Sequence, residues 1–274
     1  MTIENLIAYG KKYVHKDQVF LLLSTLLNLN FLEVYNHLED KVSDNFIKEY
    51  KKKIDMLKCG KPIQYVIGNV NFLGYNFNID ENVLIPRFET ELLVEKCSQF
   101  IKEKLNNNKI KVVDLGTGSG VIGLTLKKLN PSIDLDLIDI SISALNVAKK
   151  NADNLNIKCN IKQNDFLDNI DEKYDIVISN PPYIKTNEYV EDIVKNNEPH
   201  QALYAGEDGL DCYKKILKNI QKNLKEKYLI AFEIGMTQQN DLKKLKDVYL
   251  KEAKFICFKD LNNLDRIVFI TNIE

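Results

Sequence analysis

A short β-branched run that leads straight into a glycine loop and a helix constrains the fold more than any other feature. Ile110–Leu115 has the composition of a buried strand, and Gly116–Gly120 follows it with a glycine at every second position. Val121–Leu129 then has helical spacing, and Asn130-Pro131 ends it. Because glycine adopts positive φ and lets the backbone approach a ligand closely, this succession predicts a nucleotide-type cradle at the carboxyl end of a parallel strand.

The loop differs from phosphate-binding loops in two respects. Val121 stands where a dinucleotide-type fingerprint has its third glycine, and no Lys-Ser or Lys-Thr pair follows. A P-loop is therefore disfavoured, and a dinucleotide site is disfavoured but still open. The five residues that we assign to cofactor binding here are Gly116, Thr117, Gly118, Ser119 and Gly120.

An acid ends the next predicted strand, Asp134–Asp139. A carboxylate roughly 20 residues beyond a glycine loop can bind ribose hydroxyls through charge-assisted hydrogen bonds. Asp139 is therefore a cofactor candidate. The alternative is that Asp139 caps the following helix, Ile142–Asn151, although Ser141 fills that role at least as well.

A second candidate pair follows the third predicted strand, Ile157–Gln163. Asp165 can accept a hydrogen bond from the exocyclic amine of an adenine, and the ring of Phe166 can pack on the base. The alternative is a plain loop acid beside a core phenylalanine.

The corner Asn180-Pro181-Pro182-Tyr183 follows the buried strand pattern Tyr174–Ser179. Two prolines fix φ and offer no N–H, so the strand ends there. The amide oxygen and the backbone carbonyls can accept both hydrogens of a planar –NH2 group, whose face the tyrosine ring can cover. All four residues are our catalytic candidates, and Asn180 is also a cofactor candidate. The alternative is an ordinary turn.

The pattern of the whole sequence predicts an α/β fold that is preceded by a small N-terminal helical domain. Residues 1–67 have helical apolar spacing, 68–84 alternate like a hairpin linker, and 85–274 alternate strands with helices. The latter pattern predicts a doubly wound, mostly parallel sheet, with Lys254–Lys259 and Leu264–Thr271 as an antiparallel edge hairpin. If Tyr174–Ser179 lies beside Ile110–Leu115, the cradle and the corner share one crevice.

The composition disfavours nucleic acid, a metal ion and a membrane as partners of this protein. A net charge of −1 and a pI near 6.4 provide no global attraction for a polyanion, which disfavours nucleic acid. The five cysteines show no C-x-x-C spacing and the three histidines no metal-ligand spacing, so we expect reduced thiols in a cytoplasmic protein and no metal. No apolar run is long enough to span a bilayer, and we expect no membrane contact.

Asp114–Gly120, Asp139 and Asn180–Tyr183 together resemble the class I methyltransferases that methylate a planar nitrogen. Further segments resemble the release factor glutamine N5-methyltransferases, the HemK-type family, and these are Pro62–Gly68, Val83–Glu91, Gly206–Asp211 and Phe232–Gly235. The resemblance covers nearly the whole chain. Two residues depart from the family pattern, because Phe88 replaces a usual proline and Ala205 a common glycine.

The resemblance implies a Rossmann-like methyltransferase that uses S-adenosylmethionine, whose ribose and adenine suit a glycine loop without a lysine. It implies class 1 peptide-chain release factors as the protein partner, a glutamine side-chain amide as the acceptor, and an effect on translation termination. We expect a monomer whose helical domain docks the substrate. The resemblance also implies that the segment with Arg87, Glu89 and Thr90 lines the donor site, whereas spacing predicts that Thr90 caps a helix over Glu91–Leu105.

Two alternatives remain at this point. A DNA or RNA adenine amino-methyltransferase would use the same corner for a flipped base, with Tyr183 stacked on it. A catalytically silent module would bind a release factor or ribosome through residues 1–67. The charge balance opposes the first, and the intact cradle and corner oppose the second. His200 is interpreted as a surface histidine, in a loop starting at Glu198 that can contact substrate.

Overall fold

The computed structural model describes residues 1–105 and 109–274, which divide into two compact units. The smaller unit comprises Met1–Asn69 and Glu191–Asn197, and the larger comprises Val70–Val190 and Glu198–Glu274. Most of the hairpin therefore groups with the larger unit. The division into domains 1–67, 68–84 and 85–274 stays a prediction.

Helices and strands follow one another along the described chain as follows. The α-helices are α1 (Ile3–Gly10), α2 (Lys16–Leu27), α3 (Phe31–Asn36), α4 (Asp44–Lys58), α5 (Ile63–Ile67), α6 (Phe88–Lys104), α7 (Val121–Leu129), α8 (Ile142–Asn154), α9 (Asp192–Asn197), α10 (Asp211–Asn219) and α11 (Gln239–Tyr249). The strands are β1 (Asn69–Phe72), β2 (Tyr75–Asn78), β3 (Lys111–Leu115), β4 (Asp134–Asp139), β5 (Asn160–Gln163), β6 (Tyr174–Ser179), β7 (Leu224–Glu233), β8 (Lys254–Lys259) and β9 (Asp265–Thr271). Two short 3₁₀ helices span His200–Ala202 and Ile220–Asn223. None of these helices has the length and apolarity needed to cross a bilayer.

The smaller unit is helical, and polar side chains cap the starts of several of its helices. Thr2, Asn30 and Ser43 each accept a backbone N–H of the first turn, which satisfies a donor that a helix start leaves unpaired. Apolar faces of α1, α2 and α4 meet in one buried cluster. Inside it the hydroxyl of Tyr50 donates to the carbonyl of Leu6 at 3.0 Å, which ties α4 to α1 and satisfies the only polar atom of a buried ring.

The larger unit is built on a seven-stranded sheet of order β5-β4-β3-β6-β7-β9-β8. The pairs from β5 to β7 are parallel, whereas β9 runs antiparallel to both β7 and β8. The predicted doubly wound, mostly parallel sheet with an antiparallel edge hairpin is confirmed. The strand order reverses between β3 and β6, and open α/β sheets bind ligands at such a switch point.

Both faces of the sheet are covered by helices. Along β3, Val112 belongs to the core on one face and Val113 to the core on the other, as side chains of a strand alternate. Residues of α6, α7 and α8 pack on the first face, and residues of α10 and α11 pack on the second. Strands buried on both faces lose the hydrophobic alternation of half-exposed strands, which is why they appear as continuous apolar runs in the sequence.

Several element boundaries differ from the sequence predictions, and α8, for example, extends to Asn154 rather than ending at Asn151. The third strand of the sheet begins at Asn160 rather than Ile157, because the preceding residues form the connection from α8. The helix predicted to start at Glu91 begins at Phe88. The prediction that Thr90 caps it is wrong, because Arg87 has the extended backbone of a cap and Thr90 lies inside the first turn with a buried side chain.

Candidate active site

The ends of β3 and β6 are joined side by side at the switch point of the sheet. Asp114 pairs in register with Ile178, one residue before each strand ends. The hydroxyl of Ser179 donates to the carbonyl of Leu115 at 2.6 Å, which fixes the two strand ends to each other. The glycine loop and the proline corner therefore leave the sheet from adjacent strands at the same level.

The glycine loop turns sharply from β3 into α7. Gly116, Gly118 and Gly120 have φ values of 67°, 56° and 83°, which residues with a Cβ rarely adopt. The N–H of Gly120 donates to the carbonyl of Thr117 at 2.8 Å and closes the turn. In this conformation the loop lines a cavity in the larger unit.

Asp139, at the end of β4, braces the loop from the neighbouring strand. Its carboxylate accepts the N–H of Gly118 at 2.8 Å and that of Ser141 at 2.9 Å. Burial raises the pKa of Asp139, and these backbone donors offset part of that rise. Ser141 caps α8 by accepting the N–H of Ala144 at 3.2 Å. Asp139 is thus not the helix cap, and it lies at the cavity wall.

Asp114 stabilises the glycine loop through hydrogen bonds to it and to the start of α7. It is fully buried, and one carboxylate oxygen accepts the hydroxyl of Thr117 at 2.6 Å and the N–H of Gly123 at 2.9 Å. Burial raises the pKa of Asp114 to about 7, with a smaller contribution from the nearby Asp139. Its second oxygen has no hydrogen-bond partner among the described residues. Asp114 therefore orders the loop and does not reach the cavity itself.

The cavity has a volume of about 330 Å³ and contains most of the predicted site residues. Those that line it are Gly116, Thr117, Gly118, Ser119, Asp139, Asp165, Phe166, Asn180 and Pro182. Three other predicted site residues are not part of the lining, namely Gly120, Pro181 and Tyr183. Its walls are mostly apolar with a few convergent polar groups, which is typical of a small-molecule site.

Asp165 and Phe166 line the cavity, but Asp165 has a partner that the sequence did not indicate. Lys215 on α10 forms an ion pair with Asp165 through one carboxylate oxygen and with Asp168 at 3.2 Å. Phe166 adopts a positive φ of 50°, which turns the chain between these two acids. Lys215 also lines the cavity, so a cation lies beside the predicted adenine acceptor.

Gln238 stabilises the proline corner through hydrogen bonds to the backbone. The side-chain amide of Gln238 donates to the carbonyl of Tyr183 at 3.0 Å and to that of Gly209 at 3.1 Å. Its oxygen accepts the N–H of Gly235 at 2.9 Å. Since Gln238 is buried and all three bonds go to backbone, it fixes the corner rather than contacting a ligand.

Asn180 contacts α6 through its side chain. Its amide nitrogen donates to the hydroxyl of Thr90 at 3.3 Å, which orients the amide group. The hydroxyl of Tyr183 lies 3.5 Å from the carboxylate of Glu233, which is buried at the end of β7. Burial raises the pKa of Glu233 to about 7, although Thr90, Arg266 and Tyr183 act in the opposite direction.

Two segments that line the cavity are tied together by Glu198. One carboxylate oxygen accepts from the guanidinium of Arg87 at 2.7 Å, and the other accepts the N–H of Ile85 at 3.1 Å. The segments on either side of this tie, 82–86 and 199–202, both contribute to the cavity wall. Glu198 points into the protein, whereas its neighbours Pro199 and Gln201 line the cavity and His200 is exposed as expected. That this loop contacts substrate stays a prediction.

The spacing of motifs failed to identify Lys215, Gln238 and Glu233 as parts of this region. Lysine and glutamine on helices carry no local signal, because such residues normally face water. Glu233 had a usable signal, since a carboxylate at the end of the apolar run of β7 is rarely buried without a function. Among the described residues no three His, Cys, Asp or Glu side chains are grouped as metal ligands.

Two protein-family models match the chain. Residues 90–203 match the methyltransferase small domain, and residues 16–68 match the PrmC N-terminal domain. The release factor glutamine methyltransferase of Streptococcus pneumoniae is 38% identical over 97% of this chain and 94% of its own length. The protein of the same name from Bacillus subtilis is 38% identical over 84% of this chain and 82% of its own.

Solved structures share the fold at much lower identity. A methyltransferase from Pyrococcus furiosus is 13% identical, covers 84% of this chain and 98% of its own, and has a TM-score of 0.53. A T. thermophilus 16S rRNA methyltransferase in complex with AdoMet and guanosine is 15% identical, covers 74% of this chain and 49% of its own, and has a TM-score of 0.55. These similarities show a methyltransferase fold.

Proposed function

The chain belongs to the release factor glutamine methyltransferase family, and from this premise we propose that it methylates a release factor. The acceptor is the side-chain amide nitrogen (N5) of a glutamine in a class 1 peptide-chain release factor, and S-adenosylmethionine is the donor. The observation that carries the proposal is the pairing of β3 with β6, which brings the glycine loop and the proline corner to one cavity.

The residues at the cavity fit such a donor. The glycine loop presents backbone groups and contains no lysine, which suits a ligand that has no phosphate. Asp139 supplies a carboxylate for ribose hydroxyls at the end of β4, and Asp165 with Phe166 supplies an acceptor and a ring for adenine. Bound there, S-adenosylmethionine supplies an electrophilic methyl group on its sulfonium.

The corner makes the amide nitrogen available for methylation. An amide nitrogen is a weak nucleophile because its lone pair is delocalised into the carbonyl. The side-chain oxygen of Asn180 and the carbonyl of Pro181 each accept one N–H of the substrate amide, which raises electron density on its nitrogen and fixes its plane. Tyr183 packs against the amide and excludes water. No strong base is needed before attack, because the proton leaves after the nitrogen becomes positive. Positioning and preorganised dipoles thus provide most of the rate.

The helical unit has a separate role in this proposal. We assign residues 1–67 to docking of the release factor, with the protein acting as a monomer in the cytoplasm and without direct contact to nucleic acid. The exposed apolar side chains Phe31, Leu32 and Tyr35 on α3 support a docking role, because such groups on one short helix are typical of a protein-binding surface.

A methyl-transfer assay tests the proposal. The enzyme is incubated with donor labelled in its methyl group and with purified class 1 release factor, and in parallel with DNA and RNA. We expect label on one glutamine of the release factor. Asn180→Ala should lower the rate by about 100-fold or more while the donor still binds. Labelled nucleic acid with unlabelled release factor would contradict the assignment and favour an adenine amino-methyltransferase.

A further inference from the structure

We propose that Lys215 is a positioning residue that makes the donor site specific for adenine, because it holds the Asp165 carboxylate in the orientation that accepts a 6-amino group. This inference rests on the function proposed above, in which the donor is S-adenosylmethionine. There Asp165 and Phe166 are assigned to the adenine, and Lys215 is the cation that contacts Asp165 from α10.

The turn that contains Asp165 has a strained backbone. Phe166, the next residue, has a φ of 50°, a left-handed conformation that residues with a bulky side chain rarely adopt. Such strain persists only where the surrounding contacts over-determine the conformation, and it is concentrated at ligand sites. The contacts around this turn therefore show how the predicted adenine acceptor is fixed in place.

Two side chains hold this turn, one through its backbone and one through its carboxylates. Nδ2 of Asn164 donates to the carbonyl of Phe166 at 3.0 Å and to that of Asp168 at 2.7 Å. Nζ of Lys215 forms ion pairs with Asp165 and with Asp168, the latter at 3.2 Å. One lysine thus connects the two acids on either side of Phe166, which restricts the rotamers that the Asp165 side chain can adopt.

The ion pair between Lys215 and Asp165 lies at the wall of the donor cavity. Both residues line this cavity, as do Asn164 and Phe166, whereas Asp168 does not. Lys215 contacts Asp165 through Oδ2, and a carboxylate can accept several hydrogen bonds through its two oxygens. The pair therefore fixes the carboxylate and still leaves it able to accept a hydrogen bond from a ligand amine.

A fixed carboxylate distinguishes adenine from the same base with oxygen at position 6. The 6-amino group of adenine donates to Asp165, whereas a 6-oxo group would place an oxygen against the carboxylate with no proton between them. A site whose polar group is left unpaired rejects the wrong ligand. Without Lys215, the side chain of Asp165, which is 40% exposed, can turn to water. The penalty for the wrong base is then relieved, and the specificity falls.

The test compares the Kd of S-adenosylhomocysteine with that of S-inosylhomocysteine, its 6-oxo analogue, by titration calorimetry. For the natural protein we expect a preference of about 100-fold for the adenine compound. Lys215→Met should reduce this preference about fivefold, which is the upper range for a partly exposed ion pair, and Lys215→Arg should keep most of it. A purely structural role would raise both dissociation constants by the same factor and would leave the preference unchanged.

The neighbouring lysine on α10 provides a matched control. Lys214 forms ion pairs with Asp208 at 2.6 Å and with Asp211 at 3.4 Å, and it does not line the cavity. Lys214→Met removes the same charge one residue away and should leave the preference within about twofold. In a protein that carries Asp165→Asn, Lys215→Met should not change the preference further, because the residue through which Lys215 acts has already been altered.

Three results would overturn the inference. Lys215→Met could keep the natural preference, Lys214→Met could lower the preference equally, or Lys215→Met could lower it as much in the Asp165→Asn protein. The last result would show that Lys215 acts on the ligand directly. A natural protein without the preference would also overturn it. A natural protein that has the preference but labels no release factor would instead refute the proposed function.

Discussion

Removing Arg87 should weaken both the fold and the cofactor site, because it leaves the Glu198 carboxylate buried without a countercharge. The side chain of Glu198 is 1% exposed and that of Arg87 is 35% exposed, with 2.7 Å between the paired atoms. Breaking a buried ion pair costs about 3–5 kcal/mol. Since water reaches the guanidinium, we expect Arg87→Met to lower the free energy of unfolding by about 2–3 kcal/mol. For a domain of this size that is a fall of about 4–12 °C in Tm.

A double-mutant cycle separates the ion pair from mere loss of packing. Glu198→Gln keeps the shape and the acceptor for the N–H of Ile85 but removes the charge, so it should cost only about 1 kcal/mol. In the double variant no charge is left buried, and it should be more stable than Arg87→Met alone. Thermal unfolding followed by circular dichroism measures stability, and titration calorimetry measures affinity for S-adenosylmethionine. If the two single losses simply add, the reasoning is refuted.

Three further perturbations test other parts of the structure. Gly123→Ala should lower the free energy of unfolding in urea by about 1–3 kcal/mol, because the added Cβ would lie 2.5 Å from Leu137 Cδ2 and 3.1 Å from Asp114. A variant as stable as the natural protein would show that α7 can shift to make room for the methyl group. Raised pKa values of about 7 for Asp114 and Glu233 mean that the folded state binds more protons than the unfolded state. Stability should therefore fall as pH rises from about 4 to 7, and Asp114→Asn should flatten this fall; an unchanged slope in the variant would assign it elsewhere. Leu32→Glu should raise KM for the release factor about fivefold or more but leave KM for the donor unchanged, and equal changes would argue against docking through α3.

The elements of the sheet were predictable because each is specified by residues close together in the chain. Tyr174–Ser179 and Asp134–Asp139 were predicted with the bounds that the structure has, since an apolar run in the first and alternating leucines in the second are each ended by a turn. Leu73-Gly74 closes the β1–β2 hairpin with two positive φ values, as its turn chemistry indicates. Thr90 was misassigned for the same local reason, because threonine before a helical pattern resembles a cap whether or not its side chain is buried.

The separate parts of the site were also visible in the sequence. The glycine loop, Asp139, the pair Asp165 and Phe166, and Asn180 with Pro182 all lie at or just after strand ends, and all of them except Gly120 of the loop line the cavity. Motif spacing identifies such residues because backbone conformation and hydrogen-bonding chemistry restrict which side chains can occupy a strand end. Their partners were not visible, since Lys215 and Gln238 are ordinary polar residues in their local context, and Glu198 was predicted only as the start of a loop.

The sequence by itself determined the strands, the loop chemistry and the resemblance to one family, because periodicity, glycine and proline act over a few residues. Tertiary structure alone decided that β6 lies beside β3, and that contact creates a shared cavity from segments far apart in the chain. It also decided that Glu233 is buried beside Tyr183. Burial and the identity of through-space neighbours set the charge state and orientation of a side chain, and neither is a property of the residues next to it in the sequence.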